Sequence, residues 1–174
     1  MNRISKFILT FVLLFMLSIA GYAQPYSTGL GFRLGGISSG ITVKHYTGSN
    51  TALEGILSFG RHAFMITGLY EKHQDFPNAA GLTWFFGGGA HVGFFSGDYR
   101  YYHYYYYSHK KIKYEEFADN DASVFFGADF IIGLDYKFQN APVNLSLDVK
   151  PMVDFVPGVY GYWEGALSVR FTLP

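Results

Sequence analysis

From Leu30 to Leu173 the side chains change character at every second residue, in eight separate stretches. A period of two places successive side chains on opposite faces of an extended strand and fits no helix. The pattern is plainest at the end, where Trp163, Gly165, Leu167, Val169, Phe171 and Leu173 alternate with Tyr162, Glu164, Ala166, Ser168, Arg170 and Thr172. The stretch before it sets Val143, Leu145, Leu147, Val149, Pro151, Val153 and Phe155 against Asn144, Ser146, Asp148, Lys150, Met152 and Asp154. Phe126 to Phe138 and Leu82 to Phe94 repeat the alternation with glycine-rich polar faces, and four shorter stretches lie around residues 64–73, 53–59, 41–46 and 30–35. Turn-forming residues separate them, among them Gly35-Gly36, Thr47-Gly48-Ser49-Asn50, Gly60-Arg61, Pro77-Asn78, Gln139-Asn140-Ala141-Pro142 and Pro157-Gly158. The expectation is an all-β chain of eight antiparallel strands.

The N-terminus reads differently. Arg3 and Lys6 precede an apolar run from Phe7 to Ala20, followed by Gly21, Tyr22 and Ala23. A positive start, an apolar run too short to span a bilayer as a helix and a small-x-small end describe a secretory signal peptide. Residues 1–23 are therefore expected to be cleaved and 24–174 to form one domain of 174 − 23 = 151 residues. Eight strands then have about 19 residues each for strand and connection, enough for the ~9–11 residues with which a tilted strand crosses an outer membrane.

Which face is wet decides between an ordinary β-barrel and an inverted one. The polar faces carry Arg33, Lys44, Glu54, Glu71, Asp129, Asp135, Lys137, Asp148, Lys150, Asp154, Glu164 and Arg170, interspersed with Gly31, Gly35, Gly87, Gly89, Gly127 and Gly133. In a closed barrel of eight strands the interior is just wide enough for side chains, so small residues must alternate with charged ones that pair across it. That composition predicts an up-and-down transmembrane barrel with a polar, side-chain-filled lumen, whose network is built from Arg33, Lys44, Glu54, Asp129, Asp148, Lys150, Glu164 and Arg170. Five basic residues in the full set of lumen candidates (Lys137 included) against seven acidic ones suit a salt-bridged plug rather than a pore. On the apolar face, Tyr70, Trp84, Phe94, Tyr136, Phe138, Phe155, Trp163 and Phe171 are expected near strand ends, as interfacial girdles require. With both termini periplasmic, the turn at 139–142 is periplasmic and the long connection 96–122 extracellular.

The stretches GLTWFFGGGAHVGFF (81–95), ITGLYEKH (66–73), GLDYKFQNAPVNLSLDVKP (133–151) and GALSVRFTL (165–173) resemble the small outer-membrane β-barrel family common in Bacteroidetes, similar in size to OmpX. The resemblance implies a bacterial outer-membrane location, contact with outer-membrane lipid and delivery by the barrel-assembly machinery. Such barrels end the last strand near an aromatic residue; here Phe171 is the assembly-signal candidate, although Thr172, Leu173 and Pro174 follow it. The resemblance implies no activity.

The least average segment is the connection itself. Tyr99, Arg100, Tyr101, Tyr102, His103, Tyr104, Tyr105, Tyr106 and Tyr107 run together, and tyrosine combines rigid area with a hydrogen-bonding tip. The functional reading is a surface contacting a glycan or another protein; the plainer one is a strand hairpin extended beyond the membrane. Equal numbers of basic and acidic residues, 13 and 13, offer nothing to nucleic acid, and zero cysteines exclude disulfides and thiolate sites. No histidine has metal-ligand spacing, so neither metal nor cofactor is expected. His91 is expected inside the barrel as part of a polar network. The rival from another class is an outer-membrane lipid-modifying enzyme, for which Ser58, His62 and Glu54 are the one assembly available; a soluble periplasmic lipocalin-like barrel is the other alternative.

Overall fold

The computed structural model describes residues 27–60, 63–95, 123–156 and 158–173. They form eight strands: β1 (Thr28–Gly35), β2 (Gly40–Tyr46), β3 (Thr51–Phe59), β4 (Ala63–Asp75), β5 (Leu82–Phe95), β6 (Ser123–Lys137), β7 (Val143–Val156) and β8 (Tyr160–Leu173). Each pairs antiparallel with the next and β8 returns to β1, closing a barrel in sequence order. Closure leaves no sheet edge along the paired length, which disposes of the hazard every open β-sheet carries.

The register fixes the shape. Gly31 pairs with Thr42, and the ladder continues through Ile56, Thr67, His91, Gly127 and Asp154 to Tyr160. Gly31 itself meets β8 at Arg170, so one circuit of the barrel slips by 170 − 160 = 10 residues. Eight strands with such a stagger tilt by roughly 35–45° and enclose a lumen that side chains can fill.

The wall is level at one end and stepped at the other. At the end carrying the chain termini, Thr28 pairs with both His45 and Leu173. At the opposite end β1 stops at Gly35 beside Ala166, while β8 runs on for six more residues to Tyr160. With ~3.3 Å per residue and this tilt, the step is roughly 14 Å. β1 and β2 have 8 and 7 residues, whereas β5 to β8 have 14 or 15.

Side chains alternate as period two demands, and the hydrophobic face looks outward. Leu30, Phe32, Leu34, Phe130, Ile132, Leu147, Phe155, Trp163 and Val169 are exposed, Phe32 and Trp163 at 70% and 71%. Arg33, Lys44, Lys150 and Arg170 are completely buried. The interior is not uniformly polar, however. Ile56, Leu69, Phe85 and Ile131, on four consecutive strands, form an apolar cluster inside the lumen. Burying them between the charged groups removes apolar area from water and fills space that polar side chains alone would leave empty. The Phe85 ring is admitted by Gly133, where a Cβ would lie 2.7 Å from its Cζ, and the Phe125 ring by Gly93, where it would lie 2.0 Å away.

Three local expectations change. The stretch expected over 64–73 runs on to Asp75, so the connection around Pro77-Asn78 is only 76–81, before β5 starts at Leu82. Asn78 and Gly81 take left-handed backbone there, with φ of 66° and 84°, the conformations these two residue types adopt most readily. Tyr70 consequently sits in the middle of β4, opposite Gly88, rather than near a strand end. Lys137 lies at the very end of β6, where its ammonium donates to the carbonyls of Phe138 and Ala141 and ties down the β6–β7 turn.

Candidate functional site

Two ion-paired clusters occupy the lumen. In the one nearer the termini, Lys44 from β2 lies 3.2 Å from Glu54, 2.8 Å from Glu71 and 3.4 Å from Asp135. Arg170 from β8 donates to Glu54, to Thr42 at 3.3 Å and to the Asn144 carbonyl oxygen at 3.2 Å. Asn144 donates in turn to Asp135. Phe85 closes this cluster from the apolar side, with the Lys44 ammonium 4.1 Å from its ring centroid and the His73 ring stacked at 5.1 Å. His73 bridges Glu71 (2.9 Å) and the Tyr46 hydroxyl (3.2 Å).

The second cluster lies toward the stepped end. Arg33 meets Asp148 through two parallel hydrogen bonds of 2.6 and 2.7 Å and donates to Ser38 at 3.0 Å. Glu164 accepts from the backbone amides of Ile37 (2.8 Å) and Ser38 (2.9 Å) and from the Ser38 hydroxyl, drawing the β1–β2 turn into the barrel mouth. Lys150 spans Glu164 (3.6 Å) and Asp129 (3.3 Å). His91 stands between Asp129 at 2.9 Å and Asp154 at 2.7 Å, and Tyr162 also donates to Asp154 at 2.8 Å. On the wall between the clusters, Ser146 and Ser168 face each other across β7 and β8, and their buried hydroxyls make no hydrogen bond.

All eight residues named for the lumen network thus sit inside the barrel, three in the first cluster (Lys44, Glu54 and Arg170) and five in the second (Arg33, Asp129, Asp148, Lys150 and Glu164); Glu71 and Asp135 join the first and Asp154 the second. Sequence reasoning missed Ser38 and the turn amides at Glu164, for which a single sequence carries no signal. It also left Phe85 out of the lumen, although its position between Thr83 and Gly87 on the inward parity would have placed it there. Among the described buried groups seven carboxylates face four lysines and arginines, an excess of 7 − 4 = 3. His73 and His91 touch three of those carboxylates.

The chemistry open to these groups is limited by how fully they engage one another. Glu54 is held by Arg170, Lys44 and Thr42, and the Ser58 hydroxyl is buried without a hydrogen bond. His62 lies outside the described residues, as do Tyr99 to Tyr107, His103 and His109. No group of three metal-binding side chains occurs among the described residues. Phe171 pairs with Leu30 and Val143 two residues before the end of β8.

At the termini end the lumen opens into a cavity of about 520 Å³. Its floor is the first cluster, through His73, Asp135 and Asn144, and its walls are the ends of β2, β4, β5 and β6 with the β2–β3 turn.

No family model and no curated protein matches the chain. Among solved structures, the crystal structure of the N-terminal β-barrel domain of Pseudomonas aeruginosa OprF matches with a TM-score of 0.60 and 12% sequence identity, over 86% of this chain and 100% of that one. At that identity the likeness concerns architecture: this chain is a closed eight-stranded antiparallel barrel with the fold of an outer-membrane barrel domain.

Proposed function

We propose that this protein is an integral outer-membrane barrel whose role is structural or surface contact, without catalytic chemistry. One observation carries the reading: the barrel is inverted, with large apolar side chains exposed around its outside and its charges buried and paired within. A soluble barrel so built would expose a continuous apolar surface to water, well beyond the patches that soluble proteins tolerate. In a bilayer the same surface is solvated by lipid, and closure satisfies the backbone. The likeness to an outer-membrane barrel domain supports this location.

In this reading residues 1–23 direct export and are removed, and the barrel-assembly machinery inserts the chain, with Phe171 as its signal. The termini face the periplasm, and the tyrosine-rich connection 96–122 meets a glycan or protein outside the cell.

The two tryptophans of the chain, Trp84 and Trp163, test the location. Both side chains alternate outward, near opposite ends of the wall. Reconstituted with brominated phospholipid, W84F and W163F variants should each show strong quenching of the remaining tryptophan. Absence of quenching in both, with the protein in the soluble periplasmic fraction, overturns the proposal in favour of a soluble barrel.

A further inference from the structure

We propose that the cavity at the termini end is a binding site for a small saccharide bearing a free amine. Its volume of about 520 Å³ falls in the range of small-molecule pockets, roughly 300–1,000 Å³. Its lining sets the chemistry. Apart from two glycines, every lining residue has a polar side chain, and no aliphatic one is present.

Hydroxyls, amides and carboxylates converge here from five strands and the β2–β3 turn, a set of mixed donors and acceptors suited to a polyhydroxylated ligand. The floor is rigid: Asp135 and Asn144 are buried and bonded to each other, and His73 is pinned between Glu71 and Tyr46. Preorganised polar groups lose little freedom on binding.

The charge gives the second specification. At the rim, the Asp75 carboxylate has no hydrogen bond or ion pair among the described residues. Across the cavity the Lys137 ammonium already donates to the Phe138 and Ala141 carbonyls, and beneath the floor three carboxylates, Glu54, Glu71 and Asp135, face Lys44 and Arg170. An ammonium finds an uncommitted partner in Asp75. A divalent metal is a poorer fit, because Asp135 is already committed to Lys44 and Asn144, leaving one uncommitted carboxylate.

Under the orientation proposed above the cavity faces the periplasm, but the binding does not depend on the membrane assignment. Calorimetric titration of the folded protein in detergent is the test, with glucosamine, its β-1,4-linked dimer and the neutral counterparts glucose and cellobiose as probes. Saturable binding of the amino dimer, at least about tenfold tighter than cellobiose, supports the proposal. Asp75→Asn, a substitution at an exposed rim position, should abolish that preference while the barrel stays folded by gel mobility. Thr83→Val, inside the cavity, should weaken both disaccharides together. Absence of saturation by any of the four sugars up to about 50 mM, or binding unchanged in Asp75→Asn, overturns it. Loss of lipid quenching at the tryptophans would sink the membrane reading and leave this one standing.

Discussion

Arg33 and Asp148, 115 positions apart in the chain, meet inside the barrel as a guanidinium–carboxylate fork with both hydrogen bonds under 2.8 Å. The pair joins β1 to β7 across β8 and can form only when the barrel is closed. Replacing Asp148 with Ala leaves Arg33 completely buried with Glu164 at 3.5 Å as its nearest carboxylate. The expected loss is about 3–5 kcal/mol, read as a lower urea midpoint for loss of the compact form on unheated gels. The double substitution Arg33→Met/Asp148→Leu should recover most of it, since the larger cost lies in the orphaned charge.

Glu164 acts differently, because besides facing Arg33 and Lys150 it holds the backbone of a turn. Glu164→Ala removes the acceptor for the Ile37 and Ser38 amides. Their hydrogen exchange should accelerate by at least ~10-fold, while amides of the β5–β6 ladder exchange as before. Equal acceleration everywhere would show that the carboxylate supports the whole barrel instead of the β1–β2 turn.

Glycines on the two faces should respond oppositely to the same methyl group. A Cβ at Gly89, on the lumen side, would lie 1.8 Å from the Gly68 carbonyl oxygen, whereas one at Gly55, on the outer side, would meet nothing within 4 Å. Gly89→Ala should cost about 1–3 kcal/mol or block assembly, and Gly55→Ala should stay within about 0.5 kcal/mol. Folded yield and urea midpoint distinguish them.

Phe85 is the centre of the apolar lumen cluster and the platform for both Lys44 and His73. Phe85→Ala should cost about 3–5 kcal/mol, and Phe85→Leu clearly less. A neutral Phe85→Ala would mean that polar pairing alone maintains the interior.

The inversion of the barrel was legible because period two assigns every residue of a strand to one of two faces. Arg33, Lys44, Glu54 and Arg170 could be placed inside from parity alone. Their partners could not be read, because pairing across the lumen depends on the ten-residue stagger, which no single strand encodes. Ile56, Leu69 and Phe85 escape for a related reason: hydrophobicity alone does not mark the outer face, because in this barrel both faces use it. The end of β4 was obscured because Gln74 and Asp75 look like the start of a polar loop, yet they continue the pairing with Trp84 and Thr83.

Placed in the outer membrane as proposed above, the stepped wall acts on the bilayer around it. In a bilayer the long strands β5 to β8 match the hydrocarbon layer, while β1 and β2, at 8 and 7 residues, fall short of the ~9–11 needed to cross it. Lipids beside β1 and β2 must therefore thin or the barrel must lean, at a cost of fractions of a kcal/mol per Å of mismatch. Because that deficit is confined to one side, the deformation has a direction, and neighbouring proteins with a short side of their own would share it by packing against this one.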